Sequence, residues 1–169
     1  MFRVLSGTGN SYIQLTEICP ALLCNDNSIP ITSAGRSWPN IFFSQGNIGN
    51  TLGTAYFDEI ATMLRTRVEA AGFVDVREYV DRAPVGNWHP GNLLRRQMAN
   101  SGQDPRLNRI GRCMAQGWLG WLEAMRPVLE GVYGTPANVD NIIQQVRADY
   151  SRPDYHGYNL MYIVCPEVD

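Results

Sequence analysis

Across Gly72 the chain switches from a helical period to a strand period, and this junction constrains the fold more than any other feature. Over Thr51–Ala71, residues Phe57, Ile60, Ala61, Leu64, Val68 and Ala71 recur on one stripe, the spacing of an amphipathic helix. Gly72 supplies the left-handed residue on which helices commonly stop. Phe73–Val80, FVDVREYV, follows at once and reads as a strand with Val74, Val76 and Val80 on one face. Helix, glycine and strand in immediate succession imply an α/β chain.

The remaining elements fit that class. Ser11–Ile18, SYIQLTEI, alternates as a strand does. Pro105–Glu130 has a broad apolar face running from Leu107 to Leu129, with a kink expected at Pro127. Thr135 and Pro136 stand where an N-cap and first helical residue belong, ahead of a stripe of Val139, Ile142, Ile143 and Val146. Gly157–Cys165, GYNLMYIVC, is a strand of high β-propensity. Residues 19–50 contain Pro20, Pro30 and Pro39 with no sustained period, and read as a long connection. Residues 81–92 read as a Pro/Gly loop. The expectation is one domain over 1–169, with about three strands in a short mixed sheet and helices around it.

Charge and composition exclude several function classes. The net charge is −2 and no basic block occurs, which argues against nucleic acid as a partner. No apolar run approaches a membrane span, and MFRVLSGTGN lacks the apolar stretch of a signal peptide. Four cysteines without a Cys-x-x-Cys pair, and two histidines, offer no zinc spacing, so no metal is expected. A reducing compartment follows, cytoplasm or nucleus.

Gly7-Thr8-Gly9 invites a reading as a cofactor glycine loop. Such a loop needs a buried strand before it and a helix after it. Too little chain precedes Gly7 for that strand, and the strand YIQLTEI follows instead of a helix. The triplet reads better as a turn.

The segments GNSYIQLTEI, AAGFVDVREYV, APVGNW, DPRLNRIGRCMAQGWLGWLEAM and HGYNLMYIV occur in one order. That ordered set resembles the C-terminal half of fungal LaeA-like class I S-adenosylmethionine-dependent methyltransferases of secondary metabolism. In that family a glycine turn precedes an I-x-L-x-E strand, G-F-V-D-V follows a helix, and P-I-G-x-W follows that strand. The resemblance implies a partial Rossmann-like fold supplying strands 5, 6 and 7 of the family order 3-2-1-4-5-7-6. It places Gly7–Gly9 at the turn into the fifth strand. The family's Asp-x-Gly-x-Gly loop and ribose-binding acid have no counterpart in these residues. S-adenosylmethionine is therefore the family's cofactor, but none is expected to bind this chain alone. Strand 11–18 would have an open edge, which predicts a homodimer or a hetero-partner there.

The resemblance and the residue types give candidate positions. Glu17, at the carboxyl end of its strand, and His89, a loop base, are the catalytic candidates. Trp88, Trp118, Trp121, Tyr155 and His156 are candidates to line a small-molecule pocket. Each has a plainer structural reading: a solvated strand end, loop packing, an exposed loop position, helix core, or a turn. Three functions stay open. The first is a methyltransferase-family protein not competent alone. The second is a cofactor-independent cyclase or isomerase. The third is a non-catalytic regulatory or assembly subunit.

Overall fold

At the junction around Gly72, the Gly72 amide bonds the Glu69 carbonyl at 3.0 Å and the Phe73 amide reaches back to Val68 at 3.4 Å. Gly72 has φ +94°, as this helix stop requires. Phe73 packs against Val68, the apolar contact that accompanies such a stop.

The computed structural model of the chain describes residues 2–5, 11–43, 57–88 and 105–168. The Gly7–Gly9 turn, the start of the 51–71 helix, His89 and the rest of 89–103 lie outside the described residues. The elements are β1 (Phe2–Leu5), β2 (Ser11–Ile18), α1 (Ala34–Phe43), α2 (Phe57–Thr62), α3 (Leu64–Ala70) and β3 (Val74–Val85). They continue with α4 (Pro105–Ala124), α5 (Arg126–Tyr133), α6 (Pro136–Ser151) and β4 (Gly157–Val168). The chain divides into two compact units. The first is Met1–Ala21, Pro39–Arg82 and Asn159–Asp169, and the second is Leu22–Trp38 and Ala83–Tyr158.

The strands run in the order β1-β2-β4-β3. β2 and β4 are antiparallel, with Leu15 opposite Val164 and Ile18 opposite Met161. That pairing sets Leu15 and Val164 into one apolar cluster with Val68 and Val76, closed by Leu64 and Phe73. The fold is thus α/β, a small sheet flanked by helices, consistent with part of a Rossmann-like arrangement.

Several expectations are corrected. The edge of β2 is not open along its length. β1 pairs antiparallel with it, from Phe2 opposite Leu15 to Leu5 opposite Tyr12. FRVL is a short run close enough in sequence to fold back and satisfy the backbone groups of that edge. The connection 19–50 contains α1, whose Pro39 hid it from pattern reading. Proline removes the amide that would bond the Gly35 carbonyl, and the Tyr150 hydroxyl donates to that carbonyl instead, at 3.1 Å.

The 51–71 helix is interrupted at Met63, whose φ and ψ of −96° and 4° leave the helical region. β3 continues through Val85, beyond the strand end expected at Val80. Its expected apolar face fails, because Val76 is buried while Val74 and Val80 are about half exposed (49% and 48%). Asp75, between Val74 and Val76, has φ +50°, which breaks the alternation of faces at Val74. The kink assigned to Pro127 falls at Met125, where α4 ends and α5 begins. Thr135 caps α6 as expected, its hydroxyl accepting from the Asn138 amide at 3.2 Å.

Candidate functional site

The second unit is organised around a tryptophan that pattern reading left in a loop. Trp38 on α1 is 1% exposed. The ring of Trp118 meets it edge-on at 5.3 Å, and that of Trp121 lies tilted at 5.6 Å. These α4 tryptophans therefore pack helix on helix, in offset geometries that aromatic pairs favour. The Trp38 indole donates to the Tyr150 hydroxyl at 2.8 Å. The Gly35 amide, in the first turn of α1, donates to the Asp149 carboxylate at 2.9 Å, so α6 caps α1.

Tyr155 is fully buried, and its hydroxyl lies 2.9 Å from the Ser33 hydroxyl. Burial pushes both Tyr150 and Tyr155 well above the usual phenol value, so both remain neutral donors and neither serves as a base. A Cβ at Gly35 would sit 2.6 Å from the Tyr155 hydroxyl, which is why this position carries no side chain.

A different cluster has the makings of a reactive site. The His156 Nδ1 lies 2.5 Å from Asp26 Oδ2. Asp26 Oδ1 accepts from the Ser28 amide at 3.0 Å and from the Cys24 thiol at 3.1 Å. The Ser28 hydroxyl in turn accepts from the His156 amide at 3.0 Å. Burial raises the Asp26 pKa, but the hydrogen bonds from His156, Ser28 and Cys24 outweigh it and hold the carboxyl well below its ordinary range. An ionised carboxylate can only accept, so Nδ1 carries a proton and Nε2 is the basic atom of the ring. Trp88 backs the imidazole, ring centres 5.1 Å apart. Trp88 is itself fixed, its indole shared between the carbonyls of Val85 at 3.0 Å and Gly157 at 2.8 Å. A base whose other nitrogen is oriented by a carboxylate is the arrangement general-base chemistry uses.

The structure therefore brings Trp88 together with His156, and Trp118 with Trp121 through Trp38. Glu17 belongs to the first unit, where its Oε1 accepts from the adjacent Ile18 amide at 3.2 Å. Sequence reasoning missed Asp26 and Trp38. Asp26-Asn27-Ser28 could be read as a turn, but nothing in it names a histidine 130 positions away.

S-adenosylmethionine needs free donors at a strand end and a carboxylate for its ribose. At the end of β2 two donors are already used. The Cys19 amide bonds Leu160, and the Asn159 side chain donates to the carbonyls of Pro20 and Ala21 at 3.2 and 3.0 Å. These two donors are thus committed within the chain and not offered to such a cofactor.

No protein-family model matches the chain, and no solved structure matches it. Over 160 residues the chain is 31% identical to the "Secondary metabolism regulator LAE1" of Cochliobolus heterostrophus (strain C5). The alignment takes in 92% of this chain and 46% of that protein, so the chain spans about half the length of the curated relative it matches. The likeness is to a methyltransferase-like regulator of secondary metabolism, at the level of family resemblance. Among the described residues no helix is long and apolar enough to cross a membrane.

Proposed function

We propose that the chain is a methyltransferase-family protein of small-molecule secondary metabolism, acting in cytoplasm or nucleus. Methyl transfer from S-adenosylmethionine is the chemistry of that family, and these 169 residues do not carry it alone. The observation that supports this reading is the strand order β2-β4-β3 with β2 and β4 antiparallel. It matches the 5-7-6 end of the family's sheet. Association with a second copy or another chain belongs to the proposal through surfaces other than residues 12–15, which β1 covers. Titration calorimetry of the chain with S-adenosylmethionine tests the reading. No saturable heat is expected, and a micromolar isotherm would overturn it.

A second reading rests on the Asp26–His156 pair. It is a cofactor-independent proton-transfer activity, of the cyclase or isomerase kind, with His156 Nε2 as base and Asp26 as its positioning residue. Hydrolysis of an activated ester such as p-nitrophenyl acetate reports an accessible imidazole base. A rate that is unchanged in His156→Gln removes this reading. The word regulator in the relative's name supports a non-catalytic role as the remaining alternative.

A further inference from the structure

We propose that a groove between α4 and α6 binds a small organic carboxylate carried on an apolar body. This site lies entirely within the second unit and does not depend on the methyltransferase reading.

Two glycines bring the elements around the groove together. Where β3 ends, the Gly86 amide bonds the Gly111 carbonyl at 2.9 Å, and the Asn87 amide bonds the Tyr150 carbonyl at 3.0 Å. Gly86 has φ +106°, and a Cβ there would lie 2.7 Å from the Tyr150 carbonyl oxygen. A Cβ at Gly111 would lie 2.6 Å from the Gly86 carbonyl oxygen. Side chains are thus excluded at both points, and the backbone after β3 packs directly on α4 and α6. The resulting volume is about 400 Å³, of the size that takes a small ligand.

The walls carry matched chemistry. Arg112, one residue beyond Gly111, faces the groove from α4, and Arg147 faces it from α6. Among the described residues no carboxylate lines the groove. Arg112 has no ion-pair partner among the described residues, while Arg147 stands 3.9 Å from Glu123. Arg126 takes the other oxygen of Glu123 at 2.7 Å and also bonds Asp140 at 2.7 Å, so the Arg147 contact is the longest in that cluster. The adjacent Asp149 is occupied on the Gly35 amide. Two guanidinium groups on facing helices suit a planar carboxylate, which each can bind through paired donors. Ala115 and Leu119 supply the apolar surface beside them.

Amide-resolved NMR titration of the full chain with benzoate, acetate and inorganic phosphate tests this. Benzoate is expected to give saturable shifts at Asn87, Gln116 and Ser151, to bind more tightly than acetate or phosphate, and to weaken with salt. Arg112→Gln and Arg147→Gln should each weaken benzoate about tenfold or more. Leu119→Ala should narrow the preference for benzoate over acetate. Absence of saturable benzoate shifts at these amides, or unchanged affinity in both arginine variants with the wild-type fold, would overturn the proposal. Preferential binding of phosphate would overturn the carboxylate assignment.

Discussion

The two units are held together by different physics. The first is an apolar cluster under a backbone ladder, with Leu15, Val68, Val76 and Val164 at its centre. The second is held by side chains that reach across the sequence. Trp38 bonds Tyr150, Ser33 meets Tyr155, and Asp26 holds His156, each pair more than 100 positions apart. A ladder tolerates changes of side chain so long as the apolar pattern survives. A polar network does not where it is buried, as at Trp38 and Tyr150, because each lost partner costs another group a hydrogen bond.

The largest expected effect is on the aromatic centre. Trp38→Ala should destabilise by about 3–5 kcal/mol, as large-to-small changes in cores do. Hydrogen exchange should show α4 and α6 amides losing protection first. Equal loss in β2 and β4 would break the distinction between the units. In the first unit, Val164→Ala should cost about 2 kcal/mol, with the loss concentrated in the sheet. Urea denaturation measures both.

Tyr150→Phe removes only one oxygen, yet takes a hydrogen bond from both the Trp38 indole and the Gly35 carbonyl. A cost of about 1.5 kcal/mol is expected. A neutral outcome would mean that shape rather than hydrogen bonding holds the second unit.

The smallest effect concerns pH. The Asp26 carboxyl is held below its ordinary value, so its contribution is present above the unfolded value of about 4 and is lost as pH falls through the lower folded value. Asp26→Asn should therefore melt below wild type at neutral pH, and the difference should close on acidification. A gap independent of pH would show that the contact works through shape alone.

This contrast also explains what could be read from the sequence. The first unit follows local rules, so β2, β3 and β4, the Gly72 stop and the α/β class were legible from periodicity, while the four-residue β1 was not. The α6 cap was legible for the same reason, since Thr135 and Asn138 are neighbours. The Val74 position was misread because one positive φ at Asp75 resets the faces, and aspartate does not announce it, while Val80 is on the side of Val76 but exposed. In the second unit, α1 was missed because Pro39 argues against a helix by every local criterion. Its lost hydrogen bond is replaced from a residue 115 positions away. The candidate base at His156 was visible as a residue type, while the Asp26 carboxylate that gives it a defined tautomer was not.

The strand β1 has a consequence for assembly. It is joined to β2 by residues 6–10 alone, so it meets its own edge as a tethered ligand. Two segments joined by a short stretch of chain meet at an effective concentration of about millimolar. A strand arriving from another chain must outcompete that standing occupant, and its apparent affinity falls by the ratio of the tethered concentration to the hairpin's own dissociation constant. β1 therefore acts as a built-in competitor that sets a threshold for any partner seeking the same edge.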